Sequence, residues 1–192
     1  MTQTRTKAAA SFEGRERVRL FCALRLPPEI VQGLVEWQRR AFGDASDVRV
    51  LSAAHLHITL AFLGHRPAGE VADILGELRE AAAAAEPPLL SVRRYRETRS
   101  VAMLALEDEG GRAQALARDV QGRLERLGVY EPERREWLPH VTVLRFRTRP
   151  RLHPPLPEPA PFSPSDAALY HSLLRSGGAQ YEVMESFALG GR

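Results

Sequence analysis

The chain has 192 residues, 44% of them hydrophobic and 27% charged, the balance expected of one globular domain with a sizeable core. A formal net charge of +3 supports only weak, salt-sensitive attraction to nucleic acid. A single cysteine, Cys22, excludes a disulfide framework and a cysteine-based zinc site, and no apolar run approaches the ~20 residues of a membrane span.

Residues 1–17 lack the apolar stretch of a secretory leader and read as a disordered tail on a cytoplasmic protein, leaving 18–192 as one domain. Residues 18–24 (VRLFCAL) have strand character. Pro27 and Pro28 then open a helix with Ile30, Leu34, Trp37 and Ala41 on one face, ended by Gly43. Residues 56–63 read as a strand. Pro67 opens a second helix, with Val71, Ile74, Leu75 and Leu78 on its apolar face, which Pro87 and Pro88 stop. Strands are expected over 89–95 and 101–106, a helix from Gly110 and Gly111 to Gly128, and a strand over 137–147. The proline-rich stretch 150–161 must be an extended surface connection. Strands over 167–174 and 180–189 close the chain around the turn at 176–178.

Strand, helix and strand therefore occur in the same order twice. Val18 and Val101 stand 83 positions apart, and so do His57 and His140. This spacing predicts an internal duplication, with two similar lobes facing each other about a pseudo-two-fold axis.

The two later strands read His57-Ile58-Thr59-Leu60 and His140-Val141-Thr142-Val143. Side chains alternate along a strand, so each His shares a face with its Thr while the apolar residues take the other. If the lobes face each other, two imidazoles and two hydroxyls meet in one cleft. Imidazole titrates near neutrality, so one ring can act as base and the other as acid. That pairing suits in-line displacement at phosphorus, with Thr59 and Thr142 donating to the non-bridging oxygens where charge gathers. No metal or other cofactor is required.

At these residues the chain resembles a known family. LHITLAFLG over 56–64 and LPHVTVLR over 138–145 resemble the paired signatures of the 2H phosphoesterases. Within that superfamily the likeness is to the RNA 2′,3′-cyclic phosphodiesterases, also called 2′-5′ RNA ligases. The opening Arg19-Leu20-Phe21 with Leu26-Pro27-Pro28-Glu29, and the end over 169–183 (LYHSLLRSGGAQYEV), resemble the family's first and last elements. The resemblance implies a bilobal α+β fold: two pseudo-symmetric lobes, antiparallel sheets flanked by helices, and a central cleft. It implies metal-independent hydrolysis of RNA terminal 2′,3′-cyclic phosphate to a 2′-phosphate, with 2′-5′ joining as a possible reverse activity. By resemblance His57 is the acid toward O3′ and His140 the base for water, roles that symmetry makes easy to exchange. RNA 3′ ends or cyclic nucleotides are the implied partners, and a monomer is expected because no extended apolar surface is evident.

Arg145 stands where the family often has a phosphate-binding Arg. Strict alternation puts it opposite His140, so it reaches the cleft only if the strand bends, bulges or ends near Leu144. Arg147, Arg149 and Arg151 read as a solvent-facing row on an edge strand. Phe62 is a candidate platform for a terminal base, with core packing as the alternative. Tyr170, Tyr181 and Trp137 carry the same ambiguity, and Ser172 and Tyr181 read as supporting residues. His55 shares the His57 face, but nothing near it in sequence completes a metal site, so it supports or is idle. His65, His153 and His171 read as exposed, and Cys22 as core. Two other functions compete: a non-catalytic RNA-end or nucleotide-binding protein, and a phosphodiesterase for another cyclic phosphate or a 2′-5′ oligonucleotide.

Overall fold

In a computed structural model, residues 16–176 and 178–191 are described. Among them the chain forms β1 (Arg17–Arg25), α1 (Pro28–Phe42), β2 (Val48–Val50), β3 (His57–Pro67), α2 (Val71–Ala84), β4 (Leu89–Glu97), β5 (Val101–Glu109), α3 (Arg112–Arg126), β6 (His140–Phe146), β7 (Asp166–Arg175) and β8 (Gly178–Ala188). The strands make two antiparallel four-stranded sheets, ordered β3-β1-β7-β8 and β2-β6-β5-β4. This is the expected bilobal α+β architecture. One apolar core runs through both lobes, joining Leu20, Ile58 and Leu60 to Leu104, Val141 and Val143. No described helix is long and apolar enough to cross a membrane.

The helices tie the lobes together by crossing between them. Pro28 sits in the first turn of α1, where its missing N–H costs nothing. The helix buries Ile30, Leu34, Trp37 and Phe42 together with one polar residue, Gln38. Although α1 follows β1, Gln38 reaches the other lobe: its Nε2 donates to Val143 O of β6 at 2.9 Å and to Leu51 O at 3.1 Å. α3 begins where Asp108 accepts the N–H groups of Ala113 and Gln114. Although α3 follows β5, Gln121 donates to Leu60 O of β3 at 2.8 Å. Gln38 and Gln121 are 83 residues apart, and so are their acceptors Leu60 and Val143. The duplication expected from sequence is therefore present in the hydrogen bonding.

The spacing of the opening strands is different. His57 faces Arg25 across β1, whereas His140 faces Ala105 across β5, a separation of 80 residues between those partners. The match of Val18 to Val101 is therefore a coincidence of sequence, displaced three positions from the structural equivalence.

Four further expectations are corrected. The tail over 1–17 lies outside the described residues except at its end, where Arg17 already begins β1 and Glu16 O accepts the Ala68 N–H. The strand expected over 137–147 starts only at His140, because Pro139 has no N–H to give a ladder. β6 is an interior strand that ends at Phe146, so Arg147, Arg149 and Arg151 form no row along a sheet edge. Instead, buried Glu97 accepts Arg149 Nε at 3.1 Å and the N–H groups of Arg151 and Leu152, anchoring the proline-rich connection. His171 is buried, at 5% exposure, because β7 lies between β1 and β8.

Candidate active site

β3 and β6 run the same course residue for residue. From each His onward the first seven positions alternate in the same way between half-buried, buried and exposed. Leu60 in β3 and Val143 in β6 have no partner across their ladders, so each is the extra residue of a β-bulge. A bulge advances the side-chain alternation by one position. Phe62 and Arg145, five residues after their histidines, are thereby returned to the His–Thr face. The bulged carbonyls are the very groups held by Gln121 and Gln38 from the opposite lobe. Arg145 thus enters the cleft by the route the sequence left open. Phe62 is 46% exposed and lines the cleft, which overturns the core-packing alternative.

The cleft holds a cavity of about 350 Å³ lined by His57, Thr59, Thr142, Arg145 and Phe62, with Arg19, Arg49, His55 and Tyr181 around them. Among the described residues, three arginines and no carboxylate line it. Arg19, Arg49 and Arg145 make no ion pair among the described residues. Such a chamber favours an anion with several acceptor oxygens, and guanidinium groups suit phosphate in particular. Arg19 is fixed by donating to Ser172 Oγ at 2.8 Å and lies over the Phe62 ring, 4.7 Å from its centroid.

Arg19 and Arg49 were not singled out from sequence. Arg19 alternates with buried Val18 and Leu20 on β1, so the pattern carried that signal. β2 is only three residues long, too short for a periodicity to reveal Arg49.

A second cavity, of about 340 Å³, adjoins the first. Thr59 and Phe62 line both, whereas His57 lines the first and His140 the second.

The two catalytic candidates sit in different surroundings. His57 stacks on Phe21 at 4.9 Å between centroids and meets the edge of Tyr181. Burial, then the neighbouring His55, His140 and Arg145, lower its pKa from 6.5 to about 4. Its Nδ1 is buried, and the nearby His55 carbonyl favours a proton there without completing a hydrogen bond. His140 makes the corresponding contact in full: Nδ1 lies 2.8 Å from Leu138 O. A carbonyl can only accept, so Nδ1 carries the proton and the neutral ring keeps its lone pair on Nε2.

Both ring nitrogens of His55 are engaged, Nδ1 with Ser52 Oγ at 2.8 Å and Nε2 with Ala179 O at 2.7 Å. His55 therefore ties β8 across the cleft, and no cluster of three or more potential metal ligands stands among the described residues. Tyr170 stacks beneath Phe21 and Tyr181 lines the cavity, so both support the His57 ring. Trp137 donates its indole N–H to Thr59 O at 2.9 Å, bridging the lobes. Ser172 is buried and holds Arg19, while Cys22 is core, its thiol pushed up to about 12 by burial.

Known proteins share this sequence pattern and fold. The family described as the 2′-5′ RNA ligase superfamily matches residues 26–172. A Thermus thermophilus protein named RNA 2′,3′-cyclic phosphodiesterase is 30% identical over 185 residues, covering 91% of each chain. An Escherichia coli K12 protein of the same name is 27% identical over 177 residues, covering 91% of this chain and 98% of that one. Among solved structures, a Thermus thermophilus protein superposes with a TM-score of 0.76 at 29% identity, covering 91% and 99% of the two chains. Escherichia coli LigT complexed with NADP+ does so with a TM-score of 0.72 at 27% identity, covering 91% and 98%.

Proposed function

The chain belongs to the 2′-5′ RNA ligase superfamily, and on that premise we propose that it hydrolyses terminal 2′,3′-cyclic phosphate on RNA, leaving a 2′-phosphate. The observation that carries the reading is the pair of matched, bulged His-x-Thr strands beside a cavity whose described lining residues include three arginines and no carboxylate. Both curated relatives bear the name of this activity, and a related structure holds a nucleotide.

The chemistry follows from the two imidazoles. A water on the His140 side gives its proton to Nε2 as its oxygen attacks phosphorus. The P–O3′ bond breaks on the opposite side, and His57 delivers a proton to O3′. Thr59, Thr142 and Arg145 hold the non-bridging oxygens, where negative charge grows in the transition state. Phe62 supports the terminal base. His57 must be protonated to act as acid, and its protein surroundings alone oppose that. The bound cyclic phosphate carries one negative charge, which offsets the cationic neighbours and favours the imidazolium when substrate is present. With a 5′-hydroxyl in place of water, the same displacement joins two RNA ends through a 2′-5′ bond.

The test is incubation with a short RNA ending in a 2′,3′-cyclic phosphate, in the presence of EDTA. Release of a 2′-phosphate end supports the reading. No turnover, a 3′-phosphate product or strict metal dependence would contradict it. Tight binding of the RNA without turnover would favour a binding protein instead.

A further inference from the structure

The proposed reaction leaves one guanidinium of the cavity without an anion. A cyclic phosphate carries a single negative charge, and on the proposed roles Thr59, Thr142 and Arg145 hold its non-bridging oxygens. Arg19 is engaged by Ser172 Oγ and by the Phe62 ring. Arg49 lines the same cavity, is exposed, and makes no ion pair among the described residues. It stands directly opposite Arg145 in the ladder between β2 and β6. Like charges placed across a ladder destabilise a sheet, so folding alone gives no reason for this pair.

The end of the Arg49 side chain has a seat of its own. β2 and β8 are edge strands of different sheets, and Arg49 bridges them at the outer side of the cavity. Its guanidinium group lies against Gly178, in the space that a Cβ on that residue would fill. Gly178 has a φ of 116°, a conformation that favours glycine. His55 fixes the adjacent residue through its contact with Ala179 O. Tyr181, three residues beyond Gly178, is the residue of β8 that meets the His57 ring. Three residues of strand span about 10 Å, so the Arg49 guanidinium lies further along β8 than the point facing His57. Leu174, paired with Ala179 and 68% exposed, lines the cavity beside it.

We propose that Arg49 binds the phosphodiester on the 5′ side of the terminal nucleotide, so that the cavity selects an RNA end of two or more nucleotides over a single nucleoside cyclic phosphate. The inference rests on the reading of the site as a cyclic phosphodiesterase. The two phosphates of such an end are joined through one ribose, and the two facing arginines take one each. The guanidinium fork donates to both non-bridging oxygens of the diester, a match that a neutral linkage of the same size does not offer. Leu174 gives the preceding sugar an apolar surface. Arg49 is in this way a specificity-determining residue, separate from the groups that hold the reacting phosphorus.

The experiment removes one charge from the substrate and one from the protein. Two dinucleotides ending in a 2′,3′-cyclic phosphate are compared, one with the ordinary internal phosphodiester and one with an uncharged methylphosphonate in its place. The wild-type protein should show a kcat/KM about tenfold or more higher on the charged linkage. In Arg49→Gln the two linkages should come to within about twofold of each other. Gly178→Ala gives a second variant that keeps the charge but puts a methyl group where the guanidinium lies, and it should lower the same ratio. Thermal unfolding checks that both variants are folded. Equal turnover of the two linkages by the wild-type protein overturns the proposal alone. A loss in Arg49→Gln that is the same on both linkages also overturns it, because it assigns Arg49 to the reacting phosphate. Turnover of neither dinucleotide overturns the phosphodiesterase reading and the proposal with it.

Discussion

Replacing Gln38 by Leu should weaken the active site from a distance by loosening the bulge that aims Arg145. Gln38 is 2% exposed, and its Nε2 holds Val143 O at 2.9 Å and Leu51 O at 3.1 Å. In the Leu variant Val143 O keeps the Leu51 N–H at 3.0 Å, while Leu51 O loses this donor inside the core. One buried carbonyl stripped of its donor costs about 1–3 kcal/mol of stability. The effect on activity has a different origin. A charge-assisted contact from Arg145 to phosphate contributes about 1.5–3 kcal/mol, so Arg145→Ala should lower kcat/KM roughly 10- to 150-fold. If Gln38 acts through Arg145, Gln38→Leu should lose a large part of that same amount. The double variant should then be within about twofold of Arg145→Ala alone. The assay is kcat/KM on a cyclic-phosphate dinucleotide, at a temperature below the unfolding midpoint of every variant. Losses that multiply in the double variant would refute the claim that the bulge serves the arginine.

Phe62→Ala should raise KM by roughly fivefold or more through loss of a base-stacking face, with kcat little changed, and steady-state kinetics on a dinucleotide reads both. His57 has a folded-state pKa of about 4 against an ordinary value of 6.5, so between those values the unfolded chain binds more protons. Its contribution to stability is complete above pH 6.5 and is lost as pH falls toward 4, a change of roughly 3 kcal/mol. Denaturant unfolding should show that slope in the wild-type protein and a shallower one in His57→Phe. Glu97→Ala removes the acceptor for Arg149, two backbone N–H groups and the Tyr95 hydroxyl. It should cost about 2–4 kcal/mol of stability with little change in kcat, as measured by thermal unfolding beside the activity assay.

The His-x-Thr pair was legible because a strand's period of two is strict over three residues and because the pair recurs 83 positions later. The position of Arg145 was not, because a bulge cancels that period. The sequence does carry the trace: Leu60-Ala61 and Val143-Leu144 are adjacent apolar residues immediately after each Thr, where alternation demands a polar one. Gln38 and Gln121 also share the 83-residue spacing, but a glutamine on an apolar helix face acquires meaning only when its acceptor is known. That acceptor lies on the opposite lobe. Arg49 escaped notice on a three-residue strand, and the burial of His171 followed from β7 lying between two strands, which no local pattern states. The proline-rich connection forms neither helix nor strand over 150–161, while the carboxylate that anchors it, Glu97, stands more than fifty residues away and is invisible from the arginine row.

The account rests on His57 and His140 acting as an acid–base pair on one phosphorus. The most direct measurement is single-turnover opening of a 2′,3′-cyclic-phosphate RNA end in EDTA by the wild-type protein, His57→Ala and His140→Ala. The account predicts a 2′-phosphate product, a bell-shaped pH profile in the wild type, and a loss of about 10²–10⁴-fold in rate for each variant, with RNA binding retained. Undiminished turnover in either variant, or a product bearing a 3′-phosphate, would contradict it.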